Sequence, residues 1–134
     1  MKILLICSKA FYDKLLFFKG ELEKLGHDVT MPNCWDCPET EAKYRNTSEH
    51  SSWKAKMFKR SEDTISCMDA VLVLNFDKNG QKNYIGGATF LEIYDAFRMN
   101  KKIFFVNDLP DGMLRDELIG FAPTIINGDL TLIK

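Results

Sequence analysis

The stretch from Asp69 to Glu92 constrains the fold of this chain more than any other. Asp69-Ala-Val-Leu-Val-Leu-Asn75 is an unbroken apolar run closed at each end by a polar residue. Such a run, without alternation, reads as a strand buried on both faces, the habit of parallel sheets. A polar loop follows from Phe76 to Gly87. It closes on Gly86-Gly87, and a helix begins there with Thr89 and Glu92 in its first turns. An open α/β sheet builds its ligand crevice in this way, beyond the carboxyl ends of its strands.

The remaining chain reads as scaffold for that crevice. Lys2 to Cys7 is a second continuous apolar run, hence a first strand. Ser8 to Tyr12 form the first strand-to-helix turn. Phe11, Leu15, Phe18, Leu22 and Leu25 then recur at helical spacing, with Gly26 just past the end. His27 to Met31 is a short strand stopped by Pro32. Pro32 to Thr47 carries no period and reads as a loop, a candidate lid over the crevice. A helix is expected from about Ser48 to Cys67, with Trp53, Met57, Ser61, Thr64 and Met68 on one stripe and Arg60 one step around. Lys102 to Asn107 is a fourth strand, Met113 to Ile119 a short helix and Thr124 to Asn127 a fifth strand. Thr131 to Lys134 is a tail placed to add an edge. This alternation predicts a single α/β domain over 1–134, flavodoxin-like or Rossmann-like. Its five parallel strands should run in the order 2-1-3-4-5 with helices on both faces. The turn after strand one and the loop after strand three then meet at the switch point.

A length of 134 residues suffices for a sizeable core, and a net charge of −1 gives no electrostatic argument for nucleic acid or a membrane surface. No stretch is long enough to span a bilayer, and the opening apolar run reads as a strand rather than a signal peptide. A cytoplasmic location is expected. Cys7 and Cys67 read as small core residues. Cys34-Trp-Asp-Cys37 has motif spacing, but Pro38 follows at once in a polar loop, where a redox pair would open a helix after a strand. A zinc site built from His50 and Cys67 would lack a second close-spaced ligand pair. No metal and no cofactor is expected.

At the crevice, the glycine pair lets a ligand approach the main chain, and the free N–H groups of the next turn can bind an anion or a sugar oxygen. The dinucleotide pattern Gly-x-Gly-x-x-Gly and the phosphate loop Gly-Lys-Ser/Thr are both absent. The following helix is apolar around most of its circumference, so it should be largely buried. Its polar positions are Thr89, Glu92, Asp95 and Arg98. Helical side chains lean toward the N-terminus, which tilts Thr89 and Glu92 toward the glycine mouth. Asp95 and Arg98 are spaced as a local ion pair. A carboxylate at that mouth suits stabilisation of, or attack on, the electron-poor C1′ that forms as an N-glycosidic bond breaks.

Asp69 to Asn75, then Gly-Gly-Ala-Thr-Phe-Leu-Glu92-Ile, then Lys101-Lys-Ile-Phe-Phe, resembles the nucleoside 2-deoxyribosyltransferase family, which includes the 2′-deoxynucleoside 5′-phosphate N-hydrolases. The resemblance implies that Glu92 is the nucleophilic glutamate and that Ser8 or Tyr12 touches sugar or phosphate. Gly86-Gly87-Ala88-Thr89-x-x-Glu92 also resembles the Gly-Gly-x-Gly-Thr-x-x-Glu loop of the cytokinin-type nucleotide phosphoribohydrolases, one glycine short. That likeness implies a role for Arg60. Two departures stand out. The first loop, Cys7-Ser-Lys-Ala-Phe-Tyr12, has no glycine, and the place of the hydrolases' helical aspartate falls near Ser61, ahead of Glu62 and Asp63. Asp69 reads as a structural cap.

The expectation is an enzyme that hydrolyses or transfers the N-glycosidic bond of a nucleoside or nucleotide. Glu92 is its catalytic residue, and Ser8, Tyr12, Arg60, Asn83, Tyr84, Gly86, Gly87 and Thr89 shape the binding site. A nucleotide-binding protein without turnover is the alternative on the same scaffold. A homodimer or higher oligomer is expected, with exposed aromatics on the third long helix as its sign.

Overall fold

The computed structural model describes residues 1–134. Five strands form one parallel sheet: β1 (Lys2–Ile6), β2 (Asp28–Thr30), β3 (Ala70–Val73), β4 (Lys102–Phe105) and β5 (Thr124–Ile125). Their order is β2-β1-β3-β4-β5, as the sequence predicts. Ile3 pairs with Ala70 and Ala70 with Lys102, so β1, β3 and β4 start level and end level.

Successive strand residues point to opposite faces, and the core divides accordingly. Ile3, Leu5, Ala70 and Leu72 pack under α1 (Leu15–Lys24) with Leu15, Phe18 and Leu22. Leu4, Ile6, Val71 and Val73 face the other way, onto α3 (His50–Ser66), α4 (Gly87–Arg98) and α5 (Arg115–Gly120), which contribute Ile65, Ile93, Ala96 and Leu118. The unalternating runs are apolar because both faces are covered.

Two asparagines fix the carboxyl edge of the sheet. Asn75 is fully buried. Its Nδ2 donates to the carbonyls of Asn107 and Asp108 at 3.0 and 2.8 Å, and its Oδ1 accepts the Asn107 N–H at 2.9 Å. Asn107 Nδ2 donates back to the Asn75 carbonyl at 2.9 Å. This clamp ties the exits of β3 and β4, so the loop after β3 leaves a rigid edge. Asp69 is the cap that the sequence suggests: its Oδ2 accepts the Lys2 N–H at 2.7 Å, joining the starts of β3 and β1.

The structure departs from the sequence reading in four places. The region after β2 is not a plain loop, because it contains α2 (Thr40–Tyr44), five residues too short to show a period. The C-terminal tail forms a 3-10 turn at Leu130–Leu132 rather than an edge strand. Cys67 is exposed rather than core, since it caps the end of α3. Helix α4 is not buried all round. Leu91, Tyr94 and Phe97 are each more than two-fifths exposed, because only Thr89, Ile93 and Ala96 face the sheet. No helix is long and apolar enough to cross a membrane.

Candidate active site

The site forms where the exits of β1 and β3 diverge. A 3-10 turn, Lys9–Lys14, leads from β1 into α1, and Ser8 caps it by accepting the Ala10 N–H at 3.3 Å. From β3, the chain runs through a small hairpin in which Lys78 and Gln81 pair across Asn79-Gly80. Both of those residues have positive φ, the geometry for which Asn-Gly is suited. Asn83, also at positive φ, donates its N–H to Asp77 Oδ1 at 3.0 Å. The chain then reaches Gly86, whose extended backbone starts α4 without a side-chain cap. The first-turn N–H groups of α4 have no intrahelical partner. At Gly86, a Cβ would come within 3.3 Å of the Tyr84 hydroxyl. At Gly87, it would meet nothing within 4 Å. The first glycine therefore accommodates Tyr84, and the second leaves the mouth open.

Between these turns lies a cavity of about 300 Å³, within the range of small-molecule sites. Gly86, Gly87, Thr89 and Glu92 line one side, and Cys7, Ser8 and Tyr12 line the second. Trp53, Met57 and Phe58 of α3 supply an apolar wall, and Asn33, Cys34 and Glu41 come from the segment after β2. That segment is thus a wall of the cavity. Lys9, Lys54 and Lys78 bring three ammonium groups to it.

The structure therefore joins Ser8, Tyr12, Gly86, Gly87, Thr89 and Glu92 in one cavity. It leaves three expected residues outside the lining. Arg60 is exposed, because it stands one residue from Ser61 and that step turns a helical side chain by about 100°. Asn83 serves the loop backbone. Tyr84 supports Gly86 from behind and carries the Lys78 ammonium 4.6 Å above its ring. Sequence reasoning missed Asn33, Glu41, Trp53 and Lys54. Tertiary folding brings these together, and the trace of it in the sequence is the expectation that the loop from Pro32 to Thr47 covers the crevice.

The electrostatics separate the two carboxylates of the cavity. Burial raises the Glu92 carboxyl, and Asp95 adds to the rise. The Ser61 hydroxyl and the Lys54 charge oppose it, and the result is about 7. Ser61 is free to help because its Oγ accepts from Asn33 Nδ2 at 2.7 Å, leaving its own hydrogen for Glu92. Glu41 goes the other way. Burial pushes it up, but hydrogen bonds from Lys54, His50 and Lys9 outweigh that and hold it at about 2. Its Oε2 lies 3.0 Å from Lys54 and 3.3 Å from His50, and its Oε1 lies 3.3 Å from Lys9. The Cys7 thiol is pushed up to about 12, chiefly by burial and then by Glu92. Tyr12 is raised chiefly by burial, then by Cys7 and Glu92, and stays protonated, its hydroxyl donating to the Asn33 carbonyl at 3.4 Å.

No protein-family model and no curated protein sequence matches the chain. Solved structures do. A 2-deoxyribosyltransferase from Bacillus psychrosaccharolyticus is 22% identical, with a TM-score of 0.55 over 78% of this chain and 71% of its own. The CMP N-glycosidase of Clostridium botulinum is 16% identical, with a TM-score of 0.53 over 93% and 85%. The chain shares its fold with these two enzymes. That fold is not confined to their chemistry. The flavoenzyme NAD(P)H:(acceptor) oxidoreductase FerB of Paracoccus denitrificans is 15% identical, with a TM-score of 0.51 over 92% and 74%. Function must therefore be argued from the cavity.

Proposed function

We propose that the protein cleaves the N-glycosidic bond of a nucleoside or nucleotide, with Glu92 as nucleophile. The observation that carries this reading is the placement of Glu92. A carboxylate lines the cavity beside an uncapped helix start, and its environment sets its ionisation near neutrality. In the reaction, the ionised Glu92 attacks C1′ of the sugar. The C1′–N bond breaks with its electron pair leaving on the base, and a glycosyl ester forms on Glu92. Water or an acceptor base then displaces the ester at C1′. Lys54 and the Ser61 hydroxyl favour the ionised carboxylate that attack requires. Trp53, Met57 and Phe58 offer an apolar surface for the base, and the free N–H groups of Gly87, Ala88 and Thr89 offer donors to sugar or phosphate oxygens.

One observation favours the second reading, nucleotide binding without turnover. Glu41 is the other carboxylate on the wall, and hydrogen bonds from Lys54, His50 and Lys9 hold it ionised. It is unsuited to protonate a leaving base. Tyr12, which keeps its proton, is the group left near that position.

The test is release of free base from ribo- and deoxyribonucleosides and their 5′-monophosphates, with and without an acceptor base. Release that falls by about 10³-fold or more in Glu92→Ala supports the enzyme. Tight binding of one panel member without release supports the binding protein. Leu91, Tyr94 and Phe97, exposed along α4 with Phe58 of α3 beside them, support a homodimer or higher oligomer, which sedimentation would read directly. A cytoplasmic site of action completes the proposal.

A further inference from the structure

The Cys34-Trp-Asp-Cys37 turn meets the cavity wall at Cys34 and has no part in the chemistry proposed above. Its backbone closes through the Cys37 N–H donating to the Cys34 carbonyl at 3.1 Å. The closure sets the two cysteines at the two ends of one tight turn. Both cysteines are free and half-buried. A third sulfur comes from α3: Cys34 Sγ lies 3.9 Å from Met57 Sδ. The turn cannot drift from α3, because the neighbouring Asn33 donates through Nδ2 to the Met57 carbonyl at 3.2 Å and to Ser61 Oγ at 2.7 Å.

We propose that Cys34, Cys37 and Met57 form a binding site for one soft monovalent metal ion, Cu(I), on the rim of the cavity. Geometry and donor type both point there. Two sulfurs bound at about 2.3 Å to one trigonal ion stand about 4 Å apart, close to the separation of Cys34 and Met57 in the structure. Two thiolates and a thioether are soft ligands, which select Cu(I). Zinc wants four donors from cysteine, histidine or carboxylate, and no group of even three such side chains converges anywhere in the molecule. Harder ions want oxygen ligands, which this turn does not supply. Binding replaces two thiol protons with one Cu⁺ and releases both protons to water, so no redox step is involved and affinity rises with pH. Cys34 and Met57 both line the cavity, so an ion held between them narrows its entrance on the α3 side.

The test is anaerobic titration of the full, thiol-reduced chain with Cu(I) in competition with a chromogenic Cu(I) chelator. Sulfur coordination is read by X-ray absorption. The expected result is one ion per chain with three sulfur neighbours at a single distance. Cys34→Ser and Cys37→Ser should each lower affinity at least about 100-fold, and Met57→Leu, which keeps the volume, by about 10-fold. Circular dichroism establishes that each variant is folded. The proposal is overturned if the chelator strips the ion as easily from the wild type as from the double serine variant. It is also overturned if the ion persists in that variant, which would place it on Cys7 or Cys67. Wild-type affinity in Met57→Leu, or a sulfur count of two, overturns the three-sulfur site. The outcome does not depend on whether the cavity turns over a nucleoside.

Discussion

Glu41 and Glu92 line the same cavity and leave the same kind of side chain in opposite states. Glu41 rides on a five-residue helix that has little core of its own, and four basic side chains surround it: Lys9, Arg45, His50 and Lys54. Its carboxylate is a fastener. Glu92 stands on a helix fixed by Ile93 and Ala96 to the sheet, with one hydroxyl donor and a distant ammonium for company. Its carboxylate is held close to the point where it exchanges a proton. The lesson is that burial with no cation in contact raises one carboxylate toward neutrality, whereas basic groups in direct contact outweigh burial at the other, and this balance decides which holds the structure and which is available for chemistry.

The largest expected effect concerns that proton. If Glu92 must be ionised to attack, kcat/KM falls tenfold per pH unit below about 7, reaching about 100-fold at pH 5. A rate flat from pH 5 to 8 would break the contrast with Glu41, because both carboxylates would then be ionised throughout.

The next effect is on stability, and its sign differs between the two residues. Glu92 ionises at higher pH in the folded chain than in the unfolded one. It favours the fold below its ordinary value of 4.5, and that advantage disappears as pH rises through about 7. Glu92→Gln should therefore raise stability at pH 8 by about 1–3 kcal/mol and change little at pH 4, read by denaturant unfolding at both values. Glu41 ionises at lower pH in the folded chain, so its contribution is complete above 4.5 and is lost as pH falls through about 2. Glu41→Gln should cost about 1–2 kcal/mol at pH 7, discounted because its partners are partly in water. Equal signs in the two variants at pH 8 would remove the distinction.

A smaller effect sharpens the account of Glu92. Ser61→Ala removes the hydroxyl that favours the carboxylate. The acid limb of the pH–rate profile should move upward by about half to one unit, with little change in the plateau. A plateau loss without a shift would assign Ser61 to packing instead.

The sheet order was legible because parallel strands covered on both faces leave unalternating runs such as Ala70 to Leu74, and few other structures do. Glu92 was legible for a local reason: a glycine pair, a helix start and the lean of helical side chains all lie within seven residues. The other wall was legible only as a loop over the crevice, without the residues it supplies. Asn33, Glu41 and Lys54 meet Glu92 only through folding, and α2 is too short to leave a period. The exposed face of α4 escaped for a different reason. A helix apolar all round does not say which third faces its own sheet, so Leu91, Tyr94 and Phe97 could not be told from Ile93 and Ala96. Arg60 shows the limit of matching by place, since one residue of offset on α3 carries it from the cavity to solvent.

Lys54 touches Glu41 at 3.0 Å, and its charge also reaches Glu92. One ammonium thus answers to two masters, and thermodynamic reciprocity follows. Whatever draws it toward the reacting carboxylate loosens the short helix, and whatever seats the short helix leaves that carboxylate more basic. An occupant of the cavity that bears negative charge enters this contest as a third claimant. The ordering of the rim and the basicity of the catalytic group are then two readings of a single equilibrium.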